Sequence, residues 1–153
     1  MPDIDAFRMT RRRALRRLAG GTAALALAGT AARAADRVKV VYHLADGLEQ
    51  ASRALANIRN HLRAEPDTKI VVVALGDGIK FLLDGAKDRN GRAYDAAVGA
   101  LASQGVEFLV CGNTLEAHGV PASRVLLEAK VVQAGVAEIA RLQAKEGYVY
   151  LRP

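Results

Sequence analysis

The sequence predicts an α/β fold built as a doubly wound, open parallel sheet. From residue 38 onwards, segments with the apolar pattern of a strand alternate with segments in which apolar residues recur every three or four positions. One of the strands, 70–75, is a continuous apolar run, as expected when a parallel strand is covered on both faces. The 153 residues, 51% of them apolar, are enough for one domain with its own core.

The first half of the domain contains two predicted strands with a long helix between them. Residues 38–44 predict the first strand, and residues 70–75 predict the second. Asp46 and Glu49 have the spacing of a capping box, so we expect Asp46 to cap the helix that follows. Apolar residues at intervals of three and four predict that helix, with one buried face: Leu48, Ala51, Leu55, Ile58 and Leu62.

The second half of the domain repeats this alternation. Helices are predicted over 79–83, over 93–103, from about residue 113, and over 136–144. Strands are predicted over 106–110, 131–132 and 148–151. Ligands of such sheets bind beyond the carboxyl ends of the strands, so the segments to search are 43–46, 76–78 and 111–113.

The first 34 residues have the pattern of an export signal. Arg11-Arg12-Arg13 precedes a run of uncharged residues that ends at Ala32-Arg33-Ala34, which predicts a secretory signal peptide over residues 1–34. Arg11 and Arg12 resemble a twin-arginine signal, with Ala14 where that motif usually has Phe, and the resemblance implies a bacterial periplasmic protein. The alternatives are an amphipathic helix or a retained membrane anchor. After cleavage, no stable membrane span is expected.

Charge and composition exclude several classes of function. The net charge of +6 comes mostly from the first 34 residues, which hold seven Arg and two Asp, whereas the remaining residues hold 15 Lys and Arg against 14 Asp and Glu. With four Tyr, three Phe and no Trp, the chain also lacks the stacking surfaces of nucleic-acid binders. The single Cys excludes a disulfide framework, and we find neither a metal-ligand cluster nor a dinucleotide fingerprint, so no metal or cofactor is predicted.

Cys111 is the leading candidate for chemistry. It lies at the predicted end of the third strand, and Asn113 with Glu116 predicts a helix N-cap beside it. A helix N-terminus favours the thiolate, which is the nucleophilic form of cysteine. His43 and His118 are candidate partners for a Cys–His pair, although sequence spacing does not show that they meet. The alternative is a buried cysteine that serves only as a small apolar residue.

Several segments carry a resemblance to a known family: 40–44, 54–62, 71–74, 110–115, and 135–139 with 147–150. On these segments, residues 35–153 resemble the DsrE/DsrF-like sulfur-relay family. The resemblance implies a three-layer α/β/α fold with a mainly parallel five-stranded sheet and assembly into trimers or hexamers. It also implies that the residue matched by Cys111 accepts sulfane sulfur as a persulfide, as in a sulfur carrier or a sulfurtransferase-like protein.

The leading hypothesis is therefore a periplasmic homo-oligomer in which Cys111 binds or relays sulfane sulfur between a donor and an acceptor protein. In this hypothesis, Gly112 and Asn113 stabilise the persulfide anion through their N–H groups, and His43 or His118 moves a proton. Asp46 and Gly76 are the other candidate binding residues at the strand ends. One alternative is a non-catalytic module that binds a small ligand or a partner peptide and keeps a structural cysteine. Another is a thiol-based redox sensor.

Overall fold

The structure is a computed structural model of the chain, and it describes residues 37–153. The predicted signal peptide over 1–34 lies outside the described residues. Within 37–153, no helix combines the length and the apolar character needed to cross a membrane.

Strands and helices alternate along the described residues. The strands are β1 (Lys39–Leu44), β2 (Lys69–Ala74), β3 (Glu107–Cys111), β4 (Ala129–Val132) and β5 (Val149–Leu151). The α-helices are α1 (Leu48–Ala64), α2 (Tyr94–Ala102), α3 (Gly112–Ala117) and α4 (Gly135–Glu146). Two 3-10 segments, Gly76–Leu82 and Ala122–Arg124, complete the set.

The five strands form one sheet in the order β4-β3-β2-β1-β5, and every neighbouring pair is parallel. The predicted α/β fold class is confirmed, and the sheet is entirely rather than mainly parallel. Side chains of α1 and α2 pack on one face of the sheet, and side chains of α4 pack on the other. The result is three layers, because right-handed crossovers in both directions along the sheet place helices on both faces.

The strands supply two cores because their side chains alternate between the faces. The core under α1 and α2 takes Tyr42, Val72 and Phe108, and the core under α4 takes Val41 and Val71 among others. The central strand β2 contributes to both cores and is buried from its second residue onwards. This position explains the continuous apolar run that the sequence shows there.

The predicted helical cap at Asp46 is wrong. Helix α1 begins after Gly47, whose φ of 90° suits glycine, and the helix has no side-chain cap. The Asp46 carboxylate instead accepts hydrogen bonds from Arg152 at 2.7 and 3.0 Å. The side-chain oxygen of Gln50, a residue of α1, accepts hydrogen bonds from the N–H groups of Ala45 and Asp46. These bonds hold the segment between β1 and α1 in place.

The predicted α-helix over 79–83 is a 3-10 segment that begins earlier, at Gly76. Gly78 presses against the end of β1, where a Cβ atom would overlap the carbonyl group of Leu44. This close approach holds the start of the 3-10 segment against the carboxyl edge of the sheet.

Candidate functional site

Cys111 lies at the carboxyl edge of the sheet, where β3 ends and α3 begins. It is the last residue of β3, as predicted, and also the residue that precedes the first turn of α3. The strand passes into the helix without a loop because Gly112 approaches β4 closely: a Cβ atom there would lie 3.2 Å from the Val132 carbonyl oxygen. Cys111 is therefore surrounded by the backbone of two neighbouring connections.

The connections that leave β3 and β4 diverge to opposite faces of the sheet. After β3, α3 packs Leu115 into the core under α1, whereas after β4, α4 packs Ile139 into the core on the other face. A crevice forms between neighbouring strands whose connections diverge in this way, and it is the usual binding position in open α/β sheets. Cys111 lies at the end of β3, at this point of divergence, with its side chain on the α4 face.

Two segments bring hydrogen-bond donors to the sulfur atom of Cys111. The N–H group of Thr114 and that of Asn113, which is shared with the Gln133 carbonyl, come from the first turn of α3, and the N–H group of Gly135 comes from the start of α4. The Thr114 hydroxyl is the fourth donor. Its oxygen accepts the N–H group of Gly76 at 3.2 Å, which leaves its own proton free for the sulfur.

The absence of a side chain at Gly135 permits this arrangement. A Cβ atom at Gly135 would lie 3.2 Å from Cβ of Cys111, 3.1 Å from Leu75 and 3.3 Å from Val73. These distances are tighter than ordinary van der Waals contact. Glycine therefore lets the first turn of α4 approach the sulfur closely enough for its N–H group to donate.

The pKa of the Cys111 thiol reflects two opposing effects. Burial raises it, and the hydrogen bonds from Gly135, Thr114 and Asn113 lower it by more, so the pKa lies below the usual range of a cysteine. The side chain is almost enclosed, with Cys111 6% exposed. The arrangement can hold a thiolate with little contact with water.

Neither candidate histidine hydrogen-bonds to Cys111 within residues 37–153. His43 lies on β1, and β2 separates it from β3, so two strand spacings of about 10 Å in total divide it from Cys111. His43 Nδ1 hydrogen-bonds with the Tyr150 hydroxyl at 2.7 Å. His118 follows the last turn of α3 and is exposed. A Cys–His pair is therefore not formed in this structure.

The pKa of His43 lies below its usual value. Burial is the main cause, the positive charge of Arg152 adds to it, and the negative charge of Asp46 opposes it. We therefore expect His43 to be neutral at pH 7.

The other predicted residues divide into two groups. Gly112 and Asn113 follow Cys111 directly and Gly76 donates its N–H group to Thr114, whereas Asp46 lies near β5 in its ion pair with Arg152. Asn113 is not the helix cap, because α3 already begins at Gly112. The Asn113 side-chain oxygen instead accepts a hydrogen bond from Gln133, and its N–H group donates to the Gln133 carbonyl.

Thr114 and Gly135 are site residues that the sequence interpretation missed. Thr114 stands three residues after Cys111, so its place in the first turn of a helix was a usable signal. Gly135 is distant in sequence and reaches Cys111 only through the packing of α4 on the sheet. In the part of the chain that the structure describes, no cluster of three or more His, Cys, Asp or Glu residues could hold a metal ion.

Comparisons with known proteins agree with this fold. The model of the DsrE/DsrF-like family matches residues 17–153. A solved structure of a protein of unknown function, MTH1491 from Methanobacterium thermoautotrophicum, is 34% identical, with a TM-score of 0.66 over 76% of this chain and 99% of that one. The ychN protein from E. coli shares the fold at 16% identity, with a TM-score of 0.61 over 76% of this chain and 98% of that one. No curated protein matches the chain. On the family match and the similarity to MTH1491, the chain belongs to the DsrE/DsrF-like family.

Proposed function

We propose that the protein is a sulfur carrier in which Cys111 accepts sulfane sulfur as a persulfide and passes it to another thiol. Membership of the DsrE/DsrF-like family supports a sulfur-relay-type role. The observation that carries the proposal is the convergence of donors from Gly135, Thr114 and Asn113 on one sulfur atom. Donors of this kind stabilise an anion and need no metal or cofactor to do so.

Loading begins with attack of the Cys111 thiolate on the outer sulfur of a donor such as thiosulfate. A bond forms between the two sulfur atoms, the S–S bond of thiosulfate breaks, and sulfite leaves with the electron pair. The product is a persulfide that carries the negative charge on its terminal sulfur. The lowered pKa keeps a larger fraction of Cys111 in the reactive thiolate form near neutral pH.

The same hydrogen bonds to the Cys111 sulfur assist the transfer of sulfur to an acceptor. An acceptor thiolate attacks the terminal sulfur of the persulfide, and Cys111 leaves as a thiolate with the electron pair of the broken bond. A thiol of lower pKa is the better leaving group in such exchanges. The hydrogen bonds from Gly135 and Thr114 to the Cys111 sulfur therefore favour delivery.

The proposal places this relay in the bacterial periplasm, with residues 1–34 as a twin-arginine signal and the domain as a homo-oligomer of three or six chains. An oxidising compartment threatens a reactive thiolate with overoxidation, and the 6% exposure of Cys111 supports the proposal because it limits access by oxidants. Exposed apolar side chains on α4 and β5, Val136 and Val149, support contacts between copies of the chain.

Mass spectrometry of the intact protein tests the proposal. After incubation with thiosulfate or inorganic polysulfide, we expect an increase of about 32 Da, one sulfur atom, which a thiol reductant removes. Cys111→Ser is the matched control and should show no increase. An unmodified native protein after exposure to both donors would contradict the proposal.

A second candidate function is a non-catalytic binding module with a structural cysteine, and the low exposure of Cys111 favours it. Thiol labelling distinguishes the two candidates. If the module is correct, native protein reacts with iodoacetamide only after denaturant is added. If the carrier is correct, the native thiol reacts at a pH below the usual pKa of cysteine.

A further inference from the structure

A cleft with positively charged walls lies on the α1 face of the sheet, away from the side chain of Cys111. Arg53 of α1 forms one wall, and Lys87, Arg89 and Arg92 form the other, around a volume of about 410 Å³. An adjoining pocket of about 370 Å³ shares Arg92 and adds Arg59 of α1. We call these two spaces together the cationic cleft.

Positive charge is concentrated in the cationic cleft. Its walls carry five Lys and Arg side chains but only two acidic ones, Glu49 and Asp88, for a net charge of +3. Residues 37–153 as a whole carry 15 Lys and Arg against 13 Asp and Glu, a net charge of only +2. Among these described residues, no ion pair or hydrogen bond engages the side chains of Arg59, Lys87 or Arg89. Their N–H groups are therefore available to a ligand.

The wall formed by residues 87–93 is an ordered turn. Lys87 and Ala93 form an antiparallel bridge, and the Asp88 carboxylate accepts the N–H groups of Asn90 and Arg92. The Arg92 guanidinium also donates to Asp88 at 2.9 Å, which fixes one end of that side chain. Charged groups mounted on an ordered backbone lose less conformational freedom when they bind a ligand.

Two helices begin at the cationic cleft. Leu48 and Tyr94 are the first residues of α1 and α2, and neither helix has a side-chain cap. The Tyr94 hydroxyl donates to the Leu48 carbonyl at 2.7 Å and lies 2.7 Å from the Ser52 hydroxyl, so the two helix starts are held together. The positive ends of both helices add to the attraction for an anion.

We propose that the cationic cleft binds a small organic polyanion that carries phosphate-type groups. Guanidinium groups match the oxygens of phosphate, and the volume lies within the usual range for small-molecule sites. The cleft accounts for the net positive charge of residues 37–153, which are otherwise nearly neutral, so the cleft fits a small molecule better than a nucleic acid. This proposal does not depend on the reaction of Cys111.

Calorimetric titration of the full protein with adenosine diphosphate, inorganic pyrophosphate and adenosine tests this proposal. We expect saturable binding of both anionic probes, weaker binding at higher salt, and no binding of uncharged adenosine. Arg89→Gln should raise the Kd of adenosine diphosphate about tenfold, because it removes a charged hydrogen bond. Arg63→Gln is the matched control, since it removes the same charge from α1 outside the cleft.

Three results would overturn the proposal, and all are separate from the chemistry of Cys111. The first is that one or both anionic probes fail to bind saturably, and the second is that adenosine binds as tightly as adenosine diphosphate. The third is an equal loss of affinity in Arg63→Gln and Arg89→Gln, which would indicate attraction by net charge alone. Thermal unfolding of each variant shows whether it is folded, and Cys111→Ser should bind the probes as the parent protein does.

Discussion

Replacing Thr114 by valine tests whether its hydroxyl controls the ionisation of Cys111. Valine keeps the branched shape of the side chain but removes the O–H donor to the sulfur atom. A hydrogen bond to a charged group contributes about 1.5–3 kcal/mol, and one pKa unit corresponds to about 1.4 kcal/mol. We expect the pKa of Cys111 to rise by about one unit, near the lower bound, because the backbone N–H donors of Gly135 and residue 114 remain.

The same substitution also affects stability. Valine cannot accept the hydrogen bond from the half-buried N–H group of Gly76, which Thr114 accepts at 3.2 Å. The loss of this acceptor should lower the free energy of unfolding by about 1 kcal/mol. Denaturation in urea measures this effect separately from the change in pKa.

The pH dependence of alkylation by iodoacetamide measures the pKa of Cys111 directly, because only the thiolate reacts. Thr114→Ser is the matched control, since it retains the hydroxyl and should retain the titration midpoint. If Thr114→Val and the parent protein have the same midpoint, the hydroxyl does not donate to the sulfur and the reasoning is refuted.

Three further predictions concern the glycines that pack against the sheet and His43. In urea denaturation, Gly135→Ala should lower the free energy of unfolding by about 1–3 kcal/mol, because its Cβ atom would crowd Cys111; no loss would contradict this packing. Gly78→Ala should lower the free energy of unfolding by more than Gly135→Ala does, because its Cβ atom would overlap the backbone of Leu44. Soluble protein with parental stability would refute this. In an NMR titration, His43 should take up its proton at a pH below the usual pKa of histidine, about 6.5. The free energy of unfolding should fall as the pH drops through that range, because the unfolded chain binds the proton more readily. A titration midpoint above about 6.5 would contradict the lowered pKa.

The strands were predictable because the burial of a strand face determines which of its residues are apolar. β2 is covered on both faces, so its residues form a continuous apolar run, and the stripe from Leu48 to Leu62 follows from one buried helix face. Helix starts were less predictable because they depend on backbone conformation. Gly47, with a φ of 90°, directly precedes α1, and this displaces Asp46 from the capping position.

The candidate site was predictable only where it is local in sequence. Gly112 and Asn113 follow Cys111 directly, so the helix beginning beside the thiol was visible as a pattern. Gly135 donates to the sulfur only because α4 crosses the opposite face of the sheet. The separation of His43 from Cys111 depends on the strand order, which places β2 between them and which the sequence pattern does not specify.

The rate of persulfide formation in native and in urea-unfolded protein, at one pH near neutrality and with one sulfane donor, tests most directly whether the fold activates Cys111. The fold supplies the donors that stabilise the thiolate, so loading should be faster in the native protein and should disappear in Cys111→Ser. Loading that occurs only after unfolding would show that the fold encloses the sulfur atom rather than activating it.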